Sequence, residues 1–172
     1  MTTFDYRIDR ESSDPGKQAF EKMVSAKYLG ELTRLAILHF IDAEATTFGS
    51  GVRPLFNRAS SKKLNGNFEI DVAVMREIEA ARDTDVPRVV ATKFGLPQES
   101  VTKEDGNIVK EICRAVARRA ARLSACAIAA VLVQMDRAKL GGGTDIGGQV
   151  GVEGRSVICY ILNHCSLMTS TA

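Results

Sequence analysis

One acidic side chain near the start of the chain, Glu21 in the stretch DPGKQAFEKMVSAKYLGE, has the surroundings of a ligand-binding carboxylate. Its neighbours Phe20 and Met23 put it on the apolar side of its helical turn, just before a break in the helical pattern at Ser25. An ionised carboxylate that is partly sheltered on a rigid helix accepts hydrogen bonds from hydroxyl groups, such as those of a sugar. On patterning alone, an ordinary solvent-facing glutamate is the open alternative.

Three other patterns favour structural interpretations over chemistry. The tract GGGTDIGGQVGVEG lacks the order GxxxxGK[ST] and is predicted to be a linker rather than a phosphate-binding loop. Arg118, Arg119 and Arg122 are predicted to form a solvated helix face, because no aromatic residues are interleaved to stack on bases. His39 and Asp42 have no serine in a nucleophile-elbow motif, so His39 is predicted to be a core histidine.

The length and composition predict a globular, cytoplasmic protein. The 172 residues suit one domain with its own core, and 45% hydrophobic and 26% charged residues are ordinary proportions. A net charge of +2 does not favour a nucleic-acid partner. The four cysteines form no CxxC pair, which predicts no metal site and a reducing compartment. No signal peptide is recognised, and the longest apolar run, IAAVLV, is too short to span a membrane.

Apolar periodicity and capping residues predict a helix-rich chain. The predicted helices lie at about 15–24, 26–45, 71–81, 86–94 and 102–137. The first is expected to begin at Asp14-Pro15, since aspartate caps helices and proline suits the first helical position. One or two short strands are expected in VGVEGRSVICYIL, which is rich in β-branched residues.

The longest predicted helix begins with a capping box formed by Thr102 and Asp105. It carries an apolar stripe that is predicted to be continuous and buried, made of Ile108, Ile112, Val116, Ala120, Leu123, Ala127 and Val131. Cys113 and Cys126 lie in the same apolar pattern and are predicted to act as small hydrophobes. Exposure of part of the stripe would promote association between chains, so self-association is expected.

Beyond these patterns, the order of residues resembles the hexokinase family. The resemblance is carried by YRIDRESSDPGKQAFEKMVSAKYLGELTRLAIL, by VKEICRAVARRAARLSACAIAAVL and by VGVEG, and it covers roughly residues 4–157. It implies an α/β parent fold, the actin-like ATPase fold of the hexokinase large domain. This chain would hold a predominantly α-helical part of that domain over 1–157, with the short strands near its end and a divergent tail at 158–172.

The resemblance implies phosphorylation of a hexose such as glucose at its 6-hydroxyl group, with ATP and Mg²⁺. Glu21 corresponds to the glutamate of the family's QxFEKM motif and would bind sugar hydroxyl groups, with Gln18 beside the sugar pocket. Ala26 and Lys27 correspond to the pair that approaches the nucleotide. Val72 aligns with a threonine that faces nucleotide phosphate.

Several positions depart from the family pattern. Ala26 replaces a glycine, Val72 cannot donate the threonine's hydrogen bond, and Arg155 stands where a serine is usual. The family's phosphate loop and catalytic aspartate have no counterpart, so no catalytic residue is assigned and the isolated chain is expected not to phosphorylate glucose. A truncated hexokinase, a non-catalytic hexokinase-like regulator or sugar sensor, and an artefact of gene prediction are the alternatives left open.

Overall fold

The computed structural model describes residues 1–42 and 53–135, and all regular structure within these two stretches is helical. The α-helices of this part of the chain are α1 Thr3–Glu11, α2 Ala19–Val24, α3 Ala26–Asp42, α4 Lys62–Asn65, α5 Val72–Ala80, α6 Val86–Phe94 and α7 Lys103–Gln134. Two short 3-10 turns occupy Leu55–Arg58 and Gln98–Ser100. The predominantly helical prediction is confirmed here. The predicted strands in 150–162, the glycine-rich tract and the tail at 158–172 lie outside the described residues.

The chain divides into two compact units, Met1–Val116 and Ala117–Ala172, with the boundary inside α7. The first unit holds α1 to α6 and the first turns of α7. The described portion of the second unit is the remainder of α7 together with Met135, and Val131 and Met135 are exposed there. Among the described residues, no helix is both long and apolar enough to cross a membrane.

Three predicted helix ends are confirmed by their hydrogen bonds. The Asp71 carboxylate accepts from the Val74 amide at 2.9 Å and so caps α5. Thr102 and Asp105 form the predicted capping box of α7, with the Asp105 amide donating to the Thr102 hydroxyl at 3.2 Å and the Thr102 amide donating to the Asp105 carboxylate at 2.9 Å. Gly95 ends α6 in the left-handed conformation, with a φ of 68° that glycine adopts without steric cost.

The predicted start of the first helix at Asp14-Pro15 is wrong. α2 begins only at Ala19, because the preceding residues turn through left-handed backbone at Gly16 (φ 77°) and Gln18 (φ 53°), which a helix cannot continue. An earlier helix, α1, was not predicted. It is capped by Thr2 and Asp5, whose side chains bond to each other's main-chain N–H groups at 3.3 and 2.5 Å.

The apolar stripe predicted along α7 is continuous and buried only in part. Ile112, Val116 and Ala120 are buried, but Ile108 is 40% exposed and Val131 is 54% exposed. The buried face of α7 is formed by residues three and four apart, namely Val109, Ile112, Cys113, Val116, Ala117, Ala120 and Ala121. Ile108 lies about 100° around the helix from Val109 and therefore falls beside this face. Cys126, predicted to act as a small hydrophobe, is exposed.

Helix α3 is the centre of the first unit, because α1, α2, α5 and the turn at Leu55–Arg58 all pack against it. His39, in its last turn, was predicted to be a core residue, and this prediction is wrong because the residue is exposed. It lies two positions from each of the buried residues Ile37 and Ile41 and therefore about 200° around the helix from them. Its ring contacts Phe4 edge-on at a centroid distance of 5.7 Å.

Candidate functional site

Helix α2 presents the predicted sugar-binding residues on the protein surface. Glu21 lies in its first turn and is exposed, rather than partly sheltered as expected. Its main-chain oxygen accepts the Ser25 amide at 2.7 Å, while its carboxylate forms no hydrogen bond or ion pair with another described residue. Gln18 precedes the helix as its N-cap in left-handed backbone, and its side chain makes no capping hydrogen bond. Both polar side chains are therefore available to a ligand.

A buried lysine next to Glu21 anchors this surface segment to α1. The Lys22 side chain is 5% exposed, and its ammonium group donates to the Asp9 carboxylate at 2.7 Å and to the Asp14 carbonyl at 2.6 Å. The same Asp9 carboxylate accepts the Gly16 amide through both oxygens, at 3.1 and 2.9 Å. These hydrogen bonds lower the pKa of Asp9, that of Lys22 most strongly. The loop between α1 and α2 and the helix itself thus share one acceptor.

On the next helix, Lys27 lies over two aromatic rings. Its ammonium nitrogen is 5.5 Å from the ring centroid of Tyr28 and 5.9 Å from that of Phe68. The two rings meet edge-on at a centroid distance of 6.0 Å. Lys27 itself is exposed, so its charge faces solvent above an apolar support. The predicted nucleotide-side lysine is therefore accessible to an anionic ligand.

A close contact between main chains joins the two segments that carry the predicted nucleotide-side residues. A Cβ atom at Gly30 would lie 2.0 Å from the Ile70 carbonyl oxygen and 2.8 Å from the Asp71 Cα atom, so α3 touches the chain just before α5. Ala26 and Lys27 lie one turn before Gly30, and Val72 directly follows Asp71. The Val72 side chain is buried, with 7% exposure, so a ligand at this junction would meet main chain there.

The segment that carries Phe68 is held by a buried ion pair on α3. Glu31 and Arg34 are bonded to each other through two hydrogen bonds. Glu31 also accepts the Phe68 amide at 2.7 Å. Arg34 donates to the Leu64 carbonyl at 2.6 Å and to the Asn67 side chain at 3.1 Å. These groups support the residue beneath Lys27, and no local sequence pattern predicted them.

The charged groups of this surface bear on its fit to ATP and Mg²⁺. Lys27 offers an exposed cation suited to a phosphate group. Within residues 1–42 and 53–135, no group of three or more histidine, cysteine, aspartate or glutamate side chains is arranged to hold a metal ion. Magnesium in kinases is commonly held by substrate phosphates with only one or two carboxylates, and such a site needs no cluster of three protein ligands. The described residues thus fit a nucleotide phosphate, and no step is assigned to the metal.

A cleft of about 660 Å³ lies elsewhere in the first unit, beside the second half of α3. Arg34, Leu38 and His39 line it from α3, and Phe4 and Arg7 line it from α1. None of the residues predicted to bind sugar or nucleotide contributes to its wall. The candidate site is therefore the exposed surface formed by α2 and the first turns of α3 and α5, rather than this cleft.

Known proteins are similar to this chain over most of its length. A family model described as Hexokinase matches residues 1–168. The chain is 34% identical to human hexokinase-3 over 154 residues, which is 89% of this chain and 15% of that protein. It is 31% identical to glucokinase of Aspergillus niger over 161 residues, 92% of this chain and 32% of that protein. Hexokinase-1 of Schizosaccharomyces pombe is 29% identical over 147 residues, 84% of this chain and 28% of that protein. The chain thus spans less than a third of the length of these relatives.

Proposed function

The chain belongs to the hexokinase family, and on that premise we propose that it forms one wall of a site for ATP-dependent phosphorylation of a hexose at its 6-hydroxyl group. The parent fold of the family is the actin-like ATPase fold. In this proposal Glu21 accepts hydrogen bonds from hexose hydroxyl groups, and Gln18 lies at the edge of the same pocket. Lys27 faces the phosphates of the nucleotide.

The observation that carries the proposal is the state of the Glu21 carboxylate. It is exposed in the first turn of a helix, and its oxygen atoms are not engaged by another described residue. The neighbouring ammonium group of Lys22, which would be the nearest competitor by sequence, is bound to Asp9 instead. An exposed carboxylate that no other described residue engages is suited to accept two hydroxyl hydrogen bonds from a polyol, because hydrogen bonds to a charged acceptor are about twice as strong as neutral ones.

The nucleotide side is supported by two features of the α3–α5 junction. Lys27 supplies one positive charge above Tyr28 and Phe68. The contact of Gly30 with Ile70 brings the start of α5 beside the start of α3. The Val72 side chain has no hydrogen-bond donor and is buried, so we expect nucleotide binding here to depend on Lys27 and on main-chain groups.

A second candidate function, a hexose-binding regulator without catalysis, is favoured by the engagement of both aspartates of α1, the helix to which α2 is bonded. Asp5 caps α1, and Asp9 binds Lys22 and the Gly16 amide. A general base must be free to accept a proton from the substrate hydroxyl group. Glucose binding without turnover would support this candidate, and a coupled assay that records continuous ADP release with glucose would rule it out.

The proposal is tested by titrating the full chain with glucose in an isothermal calorimeter, with and without ATP. We expect the wild-type chain to bind glucose and the Glu21→Gln variant to bind it about 10-fold more weakly or worse, since a charge-assisted hydrogen bond contributes about 1.5–3 kcal/mol. The matched control is Glu99→Gln, which changes an exposed glutamate in the turn Gln98–Ser100. Equal glucose affinity of the wild type and Glu21→Gln would contradict the proposal.

A further inference from the structure

We propose that Lys22 is a positioning residue for the hexose site: with Asp9 it forms a clamp that fixes α2 on α1 and holds the Glu21 carboxylate in its binding orientation. This inference rests on the proposed function, because it assigns Glu21 to hexose binding. It adds a residue that makes no ligand contact of its own and that the motif alone would present as one more surface lysine.

The clamp is built around the shared carboxylate of Asp9. Lys22 reaches it from α2 with a 2.7 Å hydrogen bond, and the Gly16 amide reaches it from the loop between the two helices. A second hydrogen bond from Lys22, to the Asp14 carbonyl at 2.6 Å, closes the other end of the loop. Gly16 and Lys22 are therefore both fixed to Asp9 of α1, and Asp14 is tied to Lys22.

This segment has little else to hold it. All residues from Ser13 to Glu21 are exposed, so apolar burial contributes little to their position. Gly16 and Gln18 both have positive φ, and Gln18 is not a glycine, so its backbone conformation is one that L residues seldom adopt. Such conformations persist where the surroundings enforce them. The clamp lies on both sides of Gln18, at Gly16 and at Lys22, and supplies that enforcement.

The burial of Lys22 also fixes the direction in which the Glu21 side chain points. Its side chain is 5% exposed and that of Asp9 is 18% exposed, so the ion pair is largely removed from water. Lys22 follows Glu21 directly on a helix of six residues. Because consecutive side chains on a helix point about 100° apart, fixing Lys22 towards α1 fixes the direction in which Glu21 points away from it. Binding sites with carboxylates depend on such fixed geometry.

The clamp also determines which carboxylate the Lys22 ammonium group binds. Lys22 follows Glu21 directly in the sequence, so without Asp9 its ammonium group could compete with a hexose for the Glu21 carboxylate. The ammonium group is bound to Asp9, so the Glu21 carboxylate stays available to the ligand. Loss of Asp9 and loss of Lys22 should therefore have different effects: the first leaves the ammonium group of Lys22 without its carboxylate partner, and the second leaves the half-buried Asp9 carboxylate with the Gly16 amide alone.

The test uses the full chain and four variants: Lys22→Met, Lys22→Arg, Asp9→Asn and the control Lys17→Met. Lys17 is an exposed lysine of the same loop. Glucose affinity is measured by calorimetry, and the exchange rate of the Gly16 amide is measured by NMR without glucose. We expect Lys22→Met to weaken glucose binding by about 10- to 100-fold, the effect expected from small misplacements of a binding group. Gly16 exchange should accelerate by about 10-fold or more as its acceptor is released.

The conservative variant separates positioning from general stability. Lys22→Arg keeps a cation that can reach Asp9, so we expect it to recover most of the glucose affinity and the slow exchange of Gly16. Lys17→Met should match the wild type in both measurements. A folded Lys22→Met variant with wild-type glucose affinity and wild-type Gly16 exchange would overturn the inference. If Lys22→Met does not fold, Asp9→Asn decides by the same two measurements.

The two readouts also separate this inference from the proposed function. If the wild-type chain does not bind glucose, the proposed function fails. Gly16 exchange is still measurable in that case: acceleration in Lys22→Met and Asp9→Asn, but not in Lys17→Met, supports the clamp as the device that holds α2. Unchanged exchange in both variants overturns it.

Discussion

Glu31 and Arg34 form a buried ion pair on α3 in which Nε donates to Oε2 at 2.9 Å and Nη2 donates to Oε1 at 2.5 Å, with each side chain 1% exposed. Replacing one partner leaves the other charge buried without compensation. We expect Arg34→Met to lower the free energy of unfolding by roughly 3–5 kcal/mol, measured by urea denaturation. Arg76→Met, which removes an exposed arginine from α5, should stay within about 0.5 kcal/mol of the wild type. Equal effects of the two variants would contradict the role assigned to the pair.

The second prediction concerns the contact between α3 and the chain before α5. Alanine favours a helix over glycine by about 1 kcal/mol, so Gly30→Ala would stabilise an isolated helix. Here the added methyl group would meet the Ile70 carbonyl oxygen at 2.0 Å, and main chain cannot move aside as a side chain can. We expect net destabilisation of about 1–3 kcal/mol by urea denaturation. Gly106→Ala on α7, where the new atom would meet a Val86 methyl group at 3.0 Å, should cost less.

The third prediction follows from the clamp between Asp9 and Lys22. The pKa of Asp9 is lowered from its ordinary value of 3.8, first by the hydrogen bond from Lys22 and then by that from the Gly16 amide. A group with a lowered folded-state pKa contributes stability above its unfolded-state pKa and loses it as the pH falls through the folded-state value. We therefore expect Asp9→Asn to have a lower Tm than the wild type near pH 7. The difference should shrink as the pH is lowered past 3.8.

The measurement for this prediction is a series of thermal melts from pH 7 downwards. Glu99→Gln, which alters an exposed glutamate, is the control and should follow the wild-type curve. A difference in Tm between Asp9→Asn and the wild type that stays constant below pH 3.8 would exclude titration of Asp9 as its source.

The fourth prediction concerns two cysteines on α7. Cys113 is buried, and burial together with the charge of Glu79 raises the pKa of its thiol, so it holds little reactive thiolate. Cys126 is exposed. We expect iodoacetamide to modify Cys126 in the folded protein and Cys113 only after unfolding in urea. Peptide-level mass spectrometry separates these sites from Cys159 and Cys165. Equal labelling of Cys113 and Cys126 under native conditions would show that the Cys113 thiol is accessible to solvent and would contradict this prediction.

Much of the helical framework could be predicted because its signals are local. Asp71, Gly95 and the Thr102–Asp105 pair each act within one helical turn, and each has the predicted role. The same kind of signal is present at Thr2 and Asp5, but α1 has too few apolar residues to be predicted from its apolar positions. Its capping box is the local signal that predicts this helix.

The residues that shape the candidate site could be predicted only in part. The family resemblance singled out Gln18, Glu21, Ala26, Lys27 and Val72, and their roles stay predictions. Lys22 could not be distinguished from Lys17 by sequence, because its partner Asp9 lies on another helix. The same holds for Arg34, which depends on main-chain oxygen at Leu64. Burial of a charged side chain depends on tertiary contacts, which the local order of residues does not predict.

Self-association through α7 stays a prediction as well. The exposure of Ile108 and Val131 on that helix, and of Met135 directly after it, leaves apolar surface in the described part of the chain. Lone exposed apolar residues are common on soluble proteins and do not by themselves indicate an interface.

Gly30 and Gly95 are the same letter in the sequence but are required by different physical quantities. At Gly30 the limit is volume, since any side-chain atom would overlap the main chain at Ile70. At Gly95 no atom lies within 4 Å of the place a Cβ atom would take, so the limit there is chirality. The left-handed backbone at Gly95 is the mirror image of one that L residues prefer, and a D-amino acid would adopt it freely. A chemically synthesised chain could therefore carry D-alanine at position 95. D-alanine would not suit position 30 in the same way, because Gly30 lies within the right-handed helix α3, which disfavours D residues.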